Sequence, residues 1–497
     1  MSPSDGFTHM ELRTAYADSV TLLQVSRDVA AAPGVLAAQV AMGTPLNVEV
    51  LAGMGFDVPT CTPNDLVVAL RLESEEALPG ALAAVASALV VTARQDNAAT
   101  GAVRPRTTAS AVRRSGAPLA LVSVPGGHAA VEAMDALNEG ADVMIFSDNV
   151  PVDQEVALKR LAADRGLLVM GPDCGTAMVG GVGLGFANVM PRGDVGIVAA
   201  SGTGCQQLMC LLAAAGVGVS AALGVGGRDL STEVGGLSTM EALRRLDADP
   251  SVHRIVLVSK PPAAEVAEAV QAYAGALSTP VDLALLGPGR ADLTRATEEL
   301  LGSLGVPVPT WPVWGAREWH PGPGYLRGLF VGGTLCDEAM LVAGERLGPI
   351  RSNIPLAPEL ALDESLTADA HLMVDFGDDT LTRGRAHPMI DPGLRLDHLA
   401  RAAADPATAV LLLDVVLGNG AEPDPAALLA PAVTAAITAA REAGRELAVV
   451  VACVGTEDDP QGLTRQAQAL AEAGAEVHLS NAHAARRAAS LTTGATS

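Results

Sequence analysis

Hydrophobic and polar residues alternate along most of the chain with the rhythm of a parallel α/β protein. Short runs rich in Val and Leu end in small residues, and Ala-rich stretches with helical periodicity follow them. Such runs between helical patterns are typical of strands buried on both faces of a sheet. The pattern predicts strands near 119–124, 143–146, 167–171, 195–200, 217–223, 254–259, 281–286, 326–331, 371–375, 409–416, 447–452 and 476–479. We therefore assign the chain to the α/β class.

The first 93 residues are less regular, and we predict a small α+β domain there. We expect an Ala-rich helix at Asp28–Met42 with strands at 19–25 and 48–50 around it. A further strand at Asp65–Leu72 and a helix at Glu75–Ala93 complete the predicted unit.

Composition changes divide the chain into four predicted domains. The segment 94–116 is polar and basic, and the segment 309–324 is rich in Pro and Trp, so we predict both as linkers. The predicted domains cover residues 1–93, 117–190, 191–308 and 325–490.

Two strand–glycine-turn–helix patterns stand out within these domains. The first contains Ser201, Gly202, Thr203 and Gly204, and the second contains Gly418, Asn419 and Gly420. Free amides at a helix start, together with the helix dipole, bind phosphate or carboxylate. Both turns are therefore predicted anion sites, although each is also ordinary strand-to-helix turn chemistry. A third turn, Gly332–Thr334, is less favourable for an anion, because we expect Asp337 and Glu338 to satisfy that dipole.

Charge and cysteine usage exclude several classes of function. The formal net charge is −24, which argues against non-specific nucleic-acid binding. The six cysteines lack the spacing of a disulfide framework or a zinc site, and no metal-binding residue is predicted, although metal dependence is not fixed by the sequence. Neither a signal pattern nor an apolar run long enough for a membrane helix is visible. We expect a cytoplasmic protein that does not bind membranes.

Several motifs give the chain a resemblance to succinyl-CoA synthetase. Gly171-Pro-Asp-Cys-Gly-Thr176, Ser201-Gly-Thr203 and Gly224-Val-Gly-Gly227 resemble motifs of its α subunit. Val374-Asp-Phe-Gly377 and Leu417-Gly-Asn-Gly420 resemble motifs of the β-subunit carboxy-terminal domain. A single chain that joins both, with an added amino-terminal domain, resembles the FdrA family.

This resemblance implies a fold and a set of binding residues. Residues 117–190 are expected to form a partial CoA-binding, Rossmann-like domain. Residues 191–308 and 325–490 are expected to form two flavodoxin-like domains of the succinyl-CoA synthetase α and β types. The matched turn adds four residues to the expected phosphate and substrate site: Asp173, Cys174, Gly175 and Thr176. For Cys174, a role in packing is expected before a role as nucleophile.

The chain also departs from the succinyl-CoA synthetase pattern. No histidine lies between His253 and His320, where that family has its phosphohistidine loop. The strand and Gly-rich loop that begin the CoA-binding domain are missing before Leu119, and no segment resembles a nucleotide-binding ATP-grasp domain or P-loop. The resemblance therefore lacks the phosphate relay, the nucleotide site and part of the CoA site.

One further cluster has the chemistry of an anion site. Arg385 and His387 follow Asp378-Asp379, and this segment is suited either to gripping a dicarboxylate or phosphate or to forming an exposed, salt-bridged loop.

The FdrA resemblance implies a subunit of a carbamoyl or acyl transferase that acts through phosphate. The implied reaction is phosphorolysis of oxalurate to oxamate and carbamoyl phosphate, with phosphate as a substrate and no certain cofactor. The alternative is a nucleotide-dependent acyl-CoA synthetase, which would need CoA and Mg-nucleotide. A second alternative is a non-catalytic scaffold subunit. Small carboxylate or phosphate substrates, partner subunits and a homo-oligomer are expected, and the catalytic acid or base is not identified.

Overall fold

The computed structural model describes residues 6–14, 19–96, 105–383 and 386–492. The chain divides into two compact units. The first comprises Met1–Arg106 with Arg383–Ala386, and the second comprises Thr107–Thr382 with His387–Ser497. None of the described helices is both long and apolar enough to cross a membrane.

The first unit is a three-stranded antiparallel sheet with helices. The strands are β1 (Phe7–Arg13), β2 (Val35–Met42) and β3 (Leu66–Leu72), and β3 is the central one. The helices are α1 (Ser19–Ala30), α2 (Pro45–Gly53) and α3 (Leu78–Asp96). Leu66, Val68 and Leu70 of β3 share one core cluster with residues of α1 and α3, while Val67 and Ala69 share another with α2. The central strand is therefore apolar on both sides.

The structure corrects part of the expected arrangement in this unit. Residues 19–25 and 48–50 lie in helices, and Asp28–Met42 contains the end of α1 and all of β2 instead of one helix. The Ala residues of β2 favour a helix by propensity, but β2 pairs with β3 from Val35 to Met42. Pairing with a central strand overrides local propensity here. The strand at 65–72 and the helix near 75–93 are present.

The second unit begins with a short parallel sheet of order β4-β5-β6. Its strands are β4 (Leu119–Val122), β5 (Asp142–Ile145) and β6 (Val169–Met170). Its helices are α4 (Thr108–Ser115), α5 (Gly126–Asn138) and α6 (Val152–Arg165). The expected linker at 94–116 thus contains a helix, which begins with a capping box at Thr107 and Ser110.

The second sheet of this unit has six strands in the order β12-β11-β9-β10-β7-β8. The hairpin of β7 (Thr176–Val179) and β8 (Val182–Gly185) joins antiparallel to four parallel strands. Those strands are β9 (Arg192–Ala200), β10 (Val219–Gly224), β11 (Arg254–Ser259) and β12 (Val281–Leu285). The helices are α7 (Gly202–Ala214), α8 (Leu237–Ala248), α9 (Ala264–Ala274) and α10 (Leu293–Ser303).

The third sheet has seven strands in the order β13-β19-β18-β17-β14-β16-β15. They are β13 (Val313–Trp314), β14 (Tyr325–Phe330), β15 (Arg351–Ser352), β16 (Leu372–Asp375), β17 (Thr408–Val416), β18 (Ala448–Val454) and β19 (Glu476–His478). The helices are α11 (Gly333–Leu347), α12 (Asp379–Thr382), α13 (Gly393–Ala404), α14 (Pro425–Glu442), α15 (Leu463–Glu472) and α16 (Asn481–Leu491). Every residue of β17 and β18 is buried, as expected for central parallel strands. The predicted linker at 309–324 contributes the edge strand β13.

The connections of both larger sheets reverse direction at one strand. After β9 the chain passes through α7 to β10 on one side and later returns to β11 on the other. After β14 it passes through α11 to reach β15 and β16 on one side and later returns to β17 on the other. Open α/β sheets bind ligands beyond the carboxyl ends of strands at such switch points. The turns after β9 and β14 are therefore the places to look for a site.

A buried ion cluster fastens α6 to the loop that precedes α8. The ammonium of Lys159 donates to Glu155 at 2.8 Å, to Asp229 at 2.7 Å and to the Val225 carbonyl at 2.9 Å. Asp229 also accepts the amide of Thr239 in the first turn of α8. All three donor positions of the lysine are satisfied, which is what a buried ammonium requires.

We expect Lys159→Met to destabilise the second unit by about 3–5 kcal/mol, because it leaves the buried Asp229 carboxylate without its cation and leaves Glu155 with Arg228 alone. The measurement is urea unfolding followed by circular dichroism. Arg295→Met is the control, since the Arg295–Glu299 pair is exposed and worth about 1 kcal/mol or less. Equal losses for both variants would contradict this account of the cluster.

Candidate functional site

The turn after β9 begins α7 with a well-formed cap. Ser201 is in extended conformation, and its hydroxyl accepts the amide of Gly204 at 3.0 Å. The amides of Gly202 and Thr203 have no acceptor among the described residues. Free amides at the start of a 13-residue helix have the character of an anion site.

The turn after β14 begins α11 in a similar way but without a side-chain cap. Asp414, in the middle of β17, accepts the amides of Val331 at 2.8 Å and Gly332 at 2.9 Å. These bonds fix the turn and leave the next two amides, of Gly333 and Thr334, without an acceptor in the described part of the chain. The turn therefore presents a second set of free donors.

The two turns touch each other. The Ser201 hydroxyl donates to the Thr334 hydroxyl at 2.7 Å, and both side chains are buried. A Cβ on Gly332 would lie 2.9 Å from Thr203 Oγ1, and one on Gly204 would lie 3.0 Å from Thr334 Cγ2. The N-termini of α7 and α11 thus lie side by side, although the strands that precede them, β9 and β14, belong to two different sheets. The Ser201 hydroxyl is engaged at this contact.

An unpartnered hydroxyl lies at the same place. Thr176 is 2% exposed, and its Oγ1 has no hydrogen-bond partner. This atom lies 3.8 Å from the position that a Cβ on Gly202 would occupy. A buried hydroxyl without a partner is costly, and native structures keep few of them. Its position beside the free amides of α7 makes it available to a ligand bound there.

The acids of α11 do not act as sequence reasoning expected. Neither lies in the first turn of the helix. Glu338 accepts the amide of Leu293 at 2.6 Å and the Asn481 side chain at 2.7 Å, and burial raises its pKa to about 7. Burial also raises the pKa of Asp337 to about 6, against the attraction of Lys260. The prediction that these acids satisfy the dipole at Gly332–Thr334 is therefore wrong.

The second predicted anion turn has a different environment. The Gly418 amide donates to the Gln461 side chain at 3.2 Å, and the Asn419 amide donates to the Ala187 carbonyl at 2.9 Å. Helix α14 begins only at Pro425, after Gly420 and four further residues. The structure does not bring Gly418, Asn419 and Gly420 to a helix start with free amides, because protein acceptors occupy the first two. Gly332–Thr334 takes that place beside α7.

A lysine and several aspartates border the paired turns. Lys260 follows β11, and its Nζ lies 3.3 Å from the position of a Cβ on Gly333. Asp375 ends β16, with one oxygen accepting the Gly377 amide at 2.9 Å. Burial raises the pKa of Asp375 to about 7, against the attraction of Lys260. The cleft therefore combines positive donors with a carboxyl group poised near neutrality.

The matched turn 173–176 contributes unequally to this cleft. Asp173 is exposed, so solvent screens its carboxyl, and the pKa is raised mainly through the protein atoms that lie close to it. Gly175 uses its carbonyl to accept the Phe186 amide. Cys174 is 2% exposed, and burial raises the pKa of its thiol well above the usual range. A thiol held in that way is a packing residue and a poor nucleophile.

The predicted Arg385 and His387 pair is only partly visible, because Arg385 lies outside the described residues. His387 Nδ1 accepts the Met389 amide at 3.2 Å, and its Nε2 lies 2.9 Å from the position of a Cβ on Gly377. Burial lowers the pKa of His387 to about 4. The ring is therefore neutral at pH 7, with its proton on Nε2.

Sequence reasoning missed Lys260 and Asp375. One signal was available: the sequence contains only two lysines, Lys159 and Lys260, among 32 basic residues. Lysine is a compact point charge, whereas the planar fork of arginine needs more room. Because the chain uses arginine at all other basic positions, the two lysines indicate positions where the size of the side chain is constrained.

Chemically, the arrangement is suited to holding small anions and to moving a proton. Four free amides, an unpartnered hydroxyl and an ammonium lie at the paired turns, and the nearby Asp375 carboxyl has a pKa of about 7. Among the residues that the structure describes, no group of three or more His, Cys, Asp or Glu side chains is arranged to hold a metal.

Comparison with protein families assigns two segments. Residues 329–491 match the CoA-ligase family, and residues 8–105 match the family described as AllF, heavy metal-associated domain. The latter segment contains a single cysteine, Cys61, so its residues do not fit the thiolate set that a soft metal prefers.

Curated relatives include subunits of succinate–CoA ligases. The chain is 30% identical over 154 residues to subunit alpha 2 of the ADP-forming enzyme of Archaeoglobus fulgidus, covering 30% of this chain and 52% of that one. It is 27% identical over 210 residues to the alpha subunit of Aquifex aeolicus, covering 40% and 67%. These matches span about half to two thirds of the ligase subunits.

One similar solved structure is the dinucleotide-forming acetyl-coenzyme A synthetase 1 of Ca. Korarchaeum cryptofilum in complex with phosphate and ADP. The match has a TM-score of 0.27 and 17% sequence identity, and it covers 75% of this chain and 84% of that chain. The ATP citrate lyase of Methanothrix soehngenii has a TM-score of 0.32 and 16% identity, with 40% and 37% covered.

A longer match exists to the Uncharacterized protein YahF of Escherichia coli (strain K12). The two chains are 38% identical over 483 residues, which cover 92% of this chain and 93% of YahF. This similarity does not confirm the FdrA family, but it extends over both matched segments. The chain therefore belongs to the YahF family, with an AllF-type amino-terminal domain followed by α/β domains of the CoA-ligase type.

Proposed function

We propose that the second unit catalyses acyl or carbamoyl transfer to a phosphate held between the N-termini of α7 and α11. The observation that carries this proposal is the contact of the two turns through Ser201 and Thr334, with the unpartnered Thr176 hydroxyl beside them. Four backbone amides at these turns donate no hydrogen bond to the described residues and are therefore available to an anion. They belong to Gly202, Thr203, Gly333 and Thr334.

In the proposed reaction, an oxygen of the bound phosphate attacks the carbonyl carbon of the acyl donor. The C–O bond forms, the C–N bond breaks, and the departing nitrogen takes up the proton that the attacking hydrogen phosphate releases. Fixed amides favour this step because they hold phosphate in position and stabilise the developing oxyanion without reorganising. With oxalurate as donor, the products are oxamate and carbamoyl phosphate, so phosphate is a substrate and no cofactor is required.

A CoA-ligase reaction is the second candidate, and the family match at residues 329–491 favours it. That reaction requires a phosphoryl carrier in the succinyl-CoA synthetase manner. His387 is the histidine at the edge of the cleft, but the Met389 amide donates to its Nδ1. This bond places the ring proton on Nε2, where the lone pair of a nucleophile would be needed. His387 is therefore better suited to donate a hydrogen bond than to carry phosphate.

The curated ligase relatives are named as subunits. By analogy we propose that this chain acts with partner subunits. A scaffold role without catalysis would leave the free donors of the cleft unexplained.

The two candidate reactions are separated by parallel assays on the purified full chain. One assay supplies oxalurate and phosphate and measures carbamoyl phosphate; the other supplies a small acid, CoA and Mg-ATP and measures acyl-CoA. Product in the first assay alone supports phosphate-dependent transfer. Product that requires CoA and nucleotide refutes it and supports the ligase reaction.

We expect Thr176→Val to weaken phosphate binding by about 1.5–3 kcal/mol, which is at least tenfold, because a donor to a charged ligand is lost. The ligand-free protein should be no less stable, since the hydroxyl has no partner to lose. Isothermal titration and thermal unfolding measure the two effects. Thr434→Val, at an exposed position of α14, is the matched control and should bind phosphate like the wild type. A stable Thr176→Val variant with unchanged affinity would remove Thr176 from the site.

We expect Gly332→Ala to fold and yet to bind phosphate at least tenfold more weakly. The backbone there (φ −110°) accepts alanine, but the new Cβ would lie 2.9 Å from Thr203, so the two helix N-termini must separate. Gly344→Ala, in the same helix with no atom within 4 Å of its added Cβ, is the control. The control should keep its affinity and gain about 0.5–1 kcal/mol of stability. Equal affinities in the two variants would show that the spacing of the turns does not matter.

A further inference from the structure

Lys260 has an unusual position for a cation. Its Nζ lies 3.3 Å from the position of a Cβ on Gly333 and 3.7 Å from that of a Cβ on Gly227. Both glycines therefore border the ammonium, and Asp375 lies on the same side of Gly333. Lys260 also makes no ion pair or hydrogen bond through Nζ with the described residues. The ammonium is therefore available to a small ligand.

Four aspartates attract this ammonium without pairing with it directly. Asp173 lies in the turn after β6, Asp337 in α11, and Asp375 and Asp378 at and after the end of β16; we call these four the aspartate ring. Burial opposes the charge of Lys260, but the attraction of the ring outweighs it and raises the pKa of the lysine. Lys260 therefore remains protonated at neutral pH and acts as a charge, not as a nucleophile.

We propose that Lys260 binds the carboxylate of the acyl substrate, next to the phosphate at α7, and that Asp375 takes up a proton as this carboxylate enters. The proposal rests on the proposed function, because it assigns a second anion subsite to the same cleft. The substrate class it implies is a small acyl compound with a carboxylate near the reacting carbonyl.

Charge favours a carboxylate over a second phosphate at Lys260. An anion beside the ammonium also approaches the aspartate ring, so like charges repel it. A carboxylate brings one negative charge into this ring, whereas phosphate near neutral pH brings up to two. Protonation of one aspartate removes much of the remaining repulsion.

Asp375 is the member of the ring best placed to take the proton. It is 4% exposed, and its Oδ2 lies 2.6 Å from the position of a Cβ on Gly333, close to the ammonium. Asp173 is exposed, so solvent screens its charge. Other charged groups face the ring: Asp148, Asp379 and Arg228 act on Asp173, and Asp378 and Asp337 act on Asp375. The neighbouring His387 is neutral at pH 7 and does not contribute a charge.

The sign of the pH dependence follows from proton uptake. The pKa of Asp375 is about 7 before the ligand binds, and a nearby anion raises it further. Below pH 7 the carboxyl is already protonated and binding is favoured. Above pH 7 each bound carboxylate must bring in one proton, so the affinity falls about tenfold for each pH unit.

The test is isothermal titration of the full chain with oxamate and, separately, with inorganic phosphate. Titrations at pH 6, 7 and 8 in buffers of different ionisation enthalpy report how many protons enter with each ligand. Wild type should take up protons with oxamate and bind it more weakly at pH 8. Lys260→Met should lose at least tenfold in oxamate affinity, and its loss in phosphate affinity should be clearly smaller. Asp375→Asn should bind oxamate without proton uptake and with little dependence on pH.

The controls distinguish this inference from the proposed function. Arg295→Met removes an exposed cation and should leave both affinities unchanged. Thermal unfolding shows whether Lys260→Met is folded; if that variant does not fold, Asp375→Asn still decides the proton step. Unchanged oxamate affinity in folded Lys260→Met, or no proton uptake in wild type, overturns the inference. Failure of wild type to bind phosphate overturns the proposed function, whereas oxamate binding that depends on Lys260 would survive it.

Discussion

The hydrogen bond between Ser201 and Thr334 is the contact on which the arrangement of the cleft depends. It joins the turn after β9 to the turn after β14, and these turns belong to two different sheets. Each turn is also fixed by a contact of its own. Ser201 caps α7, and the Gly332 amide donates to Asp414 of β17. Because both turns lie at switch points of their sheets, where ligands bind, the contact joins two candidate anion sites into one. Glycines at 204 and 332 allow the approach, since a Cβ at either would press on the opposite threonine.

The two lysines have opposite electrostatic roles. Lys159 is fully satisfied by two carboxylates and a carbonyl, so it closes a structural cluster. Lys260 lies among carboxylates that attract it but do not bond to it, so its charge is only partly used. Burying unmatched charges is costly, and the raised carboxyl pKa of Asp375 reflects that cost. Such groups are concentrated at functional sites, which is why the cleft stands out from the rest of the fold.

Local pattern predicted the parallel sheets well, because Val-rich runs such as Thr408–Val416 are buried on both faces and have no competing helical interpretation. It failed at residues 19–50, where the antiparallel partner β3 decides which segments become strands. Residues of the site that form one local turn, such as Ser201–Gly204 and Thr176, were predicted. Lys260 and Asp375 were not, because they come together only when the ends of β11 and β16 meet across two sheets. The Gly418–Gly420 turn looked equivalent to Ser201–Gly204 locally, but long-range acceptors from Gln461 and Ala187 occupy its amides.

The most direct test of the central claim is a crystal structure of the full chain with phosphate, or with tungstate as a heavier analogue. We expect an anion between the two turns, within hydrogen-bond distance of the Thr176 hydroxyl and of four backbone amides, those of Gly202, Thr203, Gly333 and Thr334. An anion bound instead at Gly418–Gly420, or the paired turns left empty at a saturating concentration, would contradict it.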